Sequence, residues 1–486
     1  MRVSRLPLLA LAITLGIAAP AFAQDAPVLS PVTLPGPVTV DHSGTFGGRK
    51  VAYQSVVEAI DVNDGAGKPD ARLVATSYIA KGGMDARRPV LFVFNGGPIG
   101  ASAPLHMGAF GPKRVAVPDD INADPSTFRL VDNVYTPLDV ADVVVFDPAN
   151  TGYSRTLPGV APETQFSNVA DARQLAQLVL AWRRIHGRPE APVYLVGESY
   201  GTMRAVEAAD QLQAAGDPVA GIFLLGQAVN IIEYAQRPNN IISYAVSLPT
   251  LAAVAWSHDK VARQGRTFEG FVKEAQAYGA GEYLTVLFQG DTAAPERMAA
   301  VAAKLQDFTG VPAAEFLKRR LKLTKNDFLR LLVPGQTLDS YDARYTVPAG
   351  QPMALYASRF EPEMVGYFQS FLKVPAAAGT YSLANPAEAA FESWEWAKNK
   401  TPFFDWPYVG QLKAMMDKNP KMRLYVANGY FDTQTTIGAM DYLASQSGLP
   451  RDRVRTADFA GGHMFYTVEA SLKAFMDDVR RVVTAN

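Results

Sequence analysis

The chain has 486 residues, 48% of them hydrophobic, and its 46 Lys+Arg against 47 Asp+Glu leave a net charge of −1. That balance lacks the electrostatic footprint of a nucleic-acid binder, and the apolar content excludes a disordered or fibrous chain. With no cysteine anywhere, disulfides, thiolate metal sites and a cysteine nucleophile are excluded too.

In chain order, the first segment reads as a targeting signal rather than as part of the fold. Residues 1–5 carry two arginines and no acid, residues 6–19 are uncharged and mostly apolar, and Ala21-Phe22-Ala23 precedes Gln24. A basic start, an apolar run too short to span a bilayer and an A-x-A site predict a signal peptide, residues 1–23, cleaved after Ala23. The mature chain is expected to be secreted or periplasmic, without a membrane anchor.

A Pro-rich leader (Pro27, Pro31, Pro35, Pro37) leads into two strand-like stretches, residues 51–62 and 72–80, joined by Asn63-Asp64-Gly65-Ala66-Gly67. This is a hairpin signal. Gly67-Lys68 faintly echoes a phosphate loop, but the first Gly is missing and Pro69 replaces the Ser or Thr, so the hairpin reading stands. Short apolar runs follow at 90–94, 143–146, 193–196, 221–225 and 423–426, of the kind parallel sheets bury on both faces, and 454–459 is a last strand. Helical periodicity lies between them, as over 168–186. Two antiparallel strands leading into parallel βα units predict an eight-stranded, mostly parallel α/β sheet. Between 225 and 423 the strand rhythm stops. Residues 234–400 are expected to form a helical cap, with helices at 241–261, 268–278, 294–307 and 313–322, inserted between core segments 24–233 and 401–486. Lys318-Arg319-Arg320 reads as a solvated helix face, and Asn399-Lys400-Thr401 as a chance match to a glycosylation pattern.

The chemistry concentrates in a few loops. Val193–Val196 runs into Gly197-Glu198-Ser199-Tyr200-Gly201, a G-x-S-x-G between a strand and a helix. That context makes Ser199 a nucleophile held on a tight strand-to-helix turn. Its base must come from five histidines, and in this fold the order is Ser, Asp, His. His463 qualifies, because it follows the last strand after Gly461-Gly462, whereas His258 falls in the insertion. Asp432, directly after the penultimate strand, is the acid that would accept the imidazole N–H and stabilise the imidazolium; Asp441 is the weaker alternative. Asn95-Gly96-Gly97-Pro98 ends the third strand. Its Gly97 N–H and the Tyr200 N–H are the expected oxyanion donors.

Asn95-Gly-Gly-Pro98, Asp147-Pro-Ala-Asn-Thr-Gly-Tyr-Ser154, Gly197-Glu-Ser-Tyr-Gly201, Asn428-Gly-Tyr-Phe-Asp432 and Gly461-Gly-His-Met464 together resemble the serine carboxypeptidase family, peptidase family S10. The resemblance runs along the mature chain and is weakest in the insertion. It implies an α/β-hydrolase fold, removal of C-terminal residues from peptides, and binding of the substrate's terminal carboxylate by Asn95 and Glu198. Two positions depart from the family pattern: Ile99 stands where a Gly is usual, and Ala149-Asn150 where Val-Gly is usual. The expected function is a secreted serine carboxypeptidase acting on peptides with a free C-terminus. A serine esterase, amidase or acyltransferase using the same residues is the alternative, and a non-catalytic binding protein is a third. No metal or organic cofactor is implied. Side-chain preference and oligomeric state have no sequence signal.

Overall fold

The computed structural model describes residues 34–485 except 35, 82–86, 122, 125–126, 352–359, 386–390 and 398–405. The expected signal peptide and Asn399-Lys400-Thr401 lie outside the described residues.

Nine strands make the main path of one sheet: β1 Val38–Phe46, β2 Arg49–Asn63, β3 Pro69–Ala80, β4 Val90–Phe94, β5 Asp142–Phe146, β6 Val193–Glu198, β7 Gly221–Leu225, β8 Arg423–Gly429 and β9 Val454–Phe459. Their order is β1-β2-β3-β5-β4-β6-β7-β8-β9. The pairs from β1 to β5 are antiparallel, and those from β5 to β9 are parallel. All eight strands expected from the sequence are present. Six described strands were not foreseen: β1, the two-residue strand Arg155–Thr156 on β3, and two small antiparallel pairs, Lys113–Ala116 with Arg129–Asp132 and Gln336–Leu338 with Thr346–Pro348. β1 (VTVDHSGTF) escapes notice because only three of its nine residues are large and apolar, and its buried and exposed positions alternate weakly along a sheet edge.

The hairpin between β2 and β3 is closed by its own chemistry. Asp64 Oδ1 accepts from the N–H groups of Ala66 and Lys68 at 2.8 and 2.9 Å, and Gly67 takes a positive φ of 85° that a side chain would resist. In the parallel strands, successive residues face opposite sides, and both sides are covered. Phe92, Phe94, Val144, Phe146, Leu195 and Leu224 pack on one face, against helices α1 (Asn168–Ile185) and α2 (Gly201–Ala214). Leu91, Val93, Val143, Val145, Val196 and Leu225 pack on the other, against helices 360–370 and 469–484.

A third apolar cluster lies in residues 244–343 and takes in Phe431 and Ile437 from the core. Helices occur where the periodicity placed them, with two corrections. The one expected over 313–322 ends at Lys318, because Arg320 and Leu321 take left-handed φ values of 55° and 66°, so Arg319 and Arg320 lie past the helix. The stretch expected as one helix over 241–261 forms two, Ile241–Ala245 and Leu248–Ser257. Pro249 has no N–H to donate back to Ala245, so the first helix ends and Pro249 sits in the opening turn of the second.

Trp182 on α1 is fully buried; its indole N–H donates to Ser77 Oγ at 2.8 Å, and its ring meets Phe92 edge-on. Trp182→Ala should leave a cavity and an unpaired hydroxyl, lowering stability by about 3–5 kcal/mol. The midpoint of urea unfolding checks this, with Trp182→Phe expected to lose less.

Candidate active site

Every residue singled out for chemistry lies at or just beyond the carboxyl end of a parallel strand, where open α/β sheets place their ligands. Asn95 follows β4, Ser199 follows β6, Asp432 follows β8, and His463 follows β9. At the elbow Ser199 has φ 59°, a left-handed value for a non-glycine residue. Its neighbours must be small. A Cβ on Gly197 would stand 2.2 Å from the Gly201 carbonyl oxygen, and one on Gly201 would stand 2.9 Å from that of Asn95. The Ser199 N–H donates to the Leu225 carbonyl at 2.9 Å, anchoring the turn to β7.

Asp432 is fully buried. Its Oδ2 accepts from His463 Nδ1 at 2.7 Å and from the Thr435 hydroxyl at 2.5 Å. Its Oδ1 accepts from the N–H groups of Gln434 and Thr435 at 2.8 and 3.0 Å. These bonds fix the carboxylate and leave His463 Nε2 for other work. Burial disfavours charge on His463, but the adjoining Asp432 carboxylate, aided by Glu198, outweighs it and holds the imidazole above its ordinary value.

Ser199 and His463 both line a cavity of about 220 Å³. Gly97 lines it too, with φ 121° in a turn so tight that a Cβ would meet the Ile99 nitrogen at 2.3 Å. A Cβ on Gly96 would lie 2.7 Å from the Tyr200 nitrogen, so the Asn95–Pro98 loop rests against the elbow backbone. Among the described residues, neither the Gly97 N–H nor the Tyr200 N–H donates to a backbone carbonyl.

Asn95 and Glu198, 5% and 4% exposed, meet in the same cavity: Asn95 Nδ2 donates to Glu198 Oε1 at 2.7 Å. Burial pushes Glu198 up to about 7, against the opposing pull of His463, Tyr466 and Asn95. The Tyr466 hydroxyl lies beside this pair and acts on both Glu198 and Asn95.

Sequence reasoning did not single out Tyr466, although it stands only three residues after His463. It also missed Arg204. That side chain is completely buried, with its Nε donating to Asp171 Oδ2 at 2.7 Å and its Nη1 to the Asn95 carbonyl at 2.6 Å. It sits among the rings of Phe94, Phe146 and Tyr200. The Tyr200 hydroxyl lies between Asn168 Oδ1 and Asp171 Oδ2, at 2.8 and 2.9 Å. The loop Asp339–Ala343 was missed as well. It threads between the loops of Asp432 and His463: Tyr341 O accepts from His463 N at 2.6 Å, and Ala343 N donates to Phe431 O at 3.0 Å. Gly462 admits it, since a Cβ there would lie 2.2 Å from Tyr341 O.

The two departures from the family pattern sit behind the cavity wall. Ile99 packs against the apolar cluster of α1 and α2. Asn150 takes φ 66°, which Asn tolerates better than most residues, and its Oδ1 accepts from Thr156 N at 3.1 Å. The remaining wall is closed by a strap, residues 380–385, that returns from the insertion. Ala101 N donates to Leu383 O at 2.7 Å, Asn385 N donates to Ile99 O at 2.8 Å, and Gly152 pairs with Ser382 in both directions.

Replacing Arg204 by Met strands the Asp171 carboxyl in the core and should lower stability by about 3–5 kcal/mol. Arg204→Met with Asp171→Leu should recover part of that loss in thermal unfolding. Arg204→Lys keeps the charge but not the forked donor, so the Asn95 carbonyl and the Asp171 carboxyl cannot both be held as now; turnover should fall more than substrate affinity.

Residues 78–224 match the family described as serine carboxypeptidase. No curated protein matches the chain significantly. Among solved structures, a prohormone-processing carboxypeptidase from Saccharomyces cerevisiae superposes with a TM-score of 0.54 at 12% identity, over 89% of this chain and 91% of that one. At that identity the likeness speaks for the fold. A proline iminopeptidase from Mycobacterium smegmatis aligns over 88% of this chain and 98% of its own, at 12% identity and a TM-score of 0.37. The matched segment spans the Asn95 loop, the Asp147 segment and the Ser199 elbow; over these residues the chain is similar to the serine carboxypeptidase family, and its fold is that of the α/β-hydrolases.

Proposed function

We propose that this chain is an exported serine carboxypeptidase that removes C-terminal residues from peptides. The observation that carries this reading is the buried Asn95–Glu198 pair in the same cavity as Ser199 and His463. A carboxyl group that is half-protonated near neutrality, beside an amide donor, suits a substrate carboxylate: two acids sharing one proton bind, whereas two carboxylates repel. Tyr466, whose hydroxyl lies beside Glu198 and Asn95, is a third donor for the same group.

In the proposed mechanism Ser199 Oγ attacks the last peptide carbonyl while His463 Nε2 takes its proton. Asp432, held by the Thr435 hydroxyl and two N–H groups, stabilises the imidazolium through Nδ1. The N–H groups of Gly97 and Tyr200 receive the oxyanion. His463 then protonates the leaving amine, and water repeats the sequence in reverse on the acyl-enzyme. Residues 234–400 act as a cap that shapes access, and residues 1–23 direct export. Among the described residues no helix is long and apolar enough to cross a membrane.

Ser199→Ala or His463→Ala should each lower kcat by several orders of magnitude, and the double variant should lose little more, because the set acts as a unit. Additive losses in steady-state kinetics would separate His463 from Ser199.

The carboxylate role has its own test. Glu198 is protonated below about 7 and ionised above it, so KM for a blocked dipeptide acid should rise as pH passes upward through that value. An ester substrate lacking the carboxylate should show no such rise. Glu198→Gln keeps a donor and removes the titration, and should flatten the curve. Parallel KM–pH curves for wild type and Glu198→Gln would overturn carboxylate recognition and favour an esterase.

A further inference from the structure

The cavity around Ser199 is acidic beyond what a carboxylate-binding site calls for. Three carboxyl groups line it, Glu198, Asp339 and Asp342, against one ionisable base, His463. His463 is committed to Asp432 at 2.7 Å. Asp342 is neutralised by a two-pronged pair with Arg344, at 2.9 and 2.5 Å. Asp339 is different. It is 4% exposed, its Oδ1 accepts from the Tyr341 N–H at 2.8 Å, and among the described residues no cation pairs with it. Burial pushes it up to about 6, and neighbouring Asp342 adds to the effect. A buried carboxyl with no counter-ion, in the wall of a substrate cavity, is a place where a ligand's positive charge gains most.

The space around Asp339 suits a long side chain. Asp339 and Tyr341 also line a second cavity of about 290 Å³, so they stand on the ridge between two chambers. Arg330 lines that second chamber, but it is exposed and does not act on Asp339. Leu383, Pro104 and Met464 give the first chamber apolar walls, on which the methylene stem of a lysine or arginine can lie while its head reaches an acid.

We propose that Asp339 is a specificity-determining residue that selects peptides with a lysine or arginine flanking the scissile bond, by pairing with the side-chain cation inside the cavity. This rests on the carboxypeptidase reading above. A cationic side chain would also offset the cost of bringing the substrate's own carboxylate into an acidic cavity.

The test uses the full-length mature enzyme and two series of N-terminally blocked dipeptide acids. Lys, Arg, norleucine or Glu is varied at the released residue in one series and at the preceding residue in the other. In one of the series kcat/KM for Lys and Arg should exceed that for norleucine by about tenfold or more, with Glu poorest. Asp339→Asn keeps an acceptor for the Tyr341 N–H and should bring the Lys-to-norleucine ratio near one; Asp339→Lys should turn the preference toward Glu. Fluorophosphonate labelling of Ser199 reports whether each variant still forms the site. If a variant does not label, the wild-type ratios alone decide. Equal rates for Lys and norleucine in both wild-type series, or an unchanged ratio in a labelling Asp339→Asn, would overturn the proposal. The carboxypeptidase reading fails separately, if the norleucine acid is cleaved no faster than its C-terminal amide.

Discussion

The site depends on a guanidinium that solvent never reaches. Arg204 points from the elbow helix back under its own active-site loops, donating to Asp171 on α1 and to the Asn95 carbonyl, with aromatic rings around it. Two charges taken fully out of water are costly, and burial raises Asp171 even against the pull of Arg204. What the pair contributes is therefore geometric. It locks together three segments distant in sequence: the loop carrying Asn95 and Gly97, the helix that begins after Ser199, and the helix that positions the Tyr200 hydroxyl. The spacing between the Ser199 elbow and the Asn95–Pro98 loop is set by this lock rather than by the loops themselves, which are rich in glycine and have little stiffness of their own.

Around that lock the sheet supplies the frame. Four of the parallel strands, β4, β6, β8 and β9, carry the site side chains at their carboxyl ends, and the loops then approach each other as backbone rather than through side chains. Gly197 against Gly201, Gly96 against Tyr200 and Gly462 against Tyr341 are all contacts that a Cβ would close off. Such packing needs water-free neighbours with satisfied backbone, and the Asp432 carboxylate shows how this is met: four donors converge on its two oxygens.

How much of this was legible in the sequence follows from where each signal resides. The parallel strands stand out because a strand buried on both faces must be apolar throughout, as in Val90–Phe94 or Val143–Phe146. Ser199, Asp432 and His463 stand out because each sits in a local context, strand then glycine-bearing loop, that the sequence displays. Arg204 does not. A lone arginine on an otherwise ordinary helix reads as solvated, and only Asp171, 33 positions earlier, makes its burial possible. Asp339 was hidden for the same reason. Its loop has no periodicity, and the residues that follow it, Tyr341 and Ala343, are placed by His463 and Phe431, about 120 and 90 positions away in the chain. The break at Pro249 was readable, since a proline inside a helical pattern ends the preceding turn.

The strap at residues 380–385 has a consequence for the evolution and exchange of parts. An insertion between two strands is commonly imagined as a cassette, entered and left through one narrow neck, whose replacement would alter specificity and leave the catalytic framework whole. Here the returning chain is stitched by main-chain bonds to Ile99, Ala101 and Gly152 before it rejoins the sheet, so the wall facing Ser199 is jointly owned by both parts. A chimera that replaces the segment between β7 and β8 must therefore splice ahead of Thr380. One cut at the next strand would carry away a piece of the support of the loop that follows Asn95.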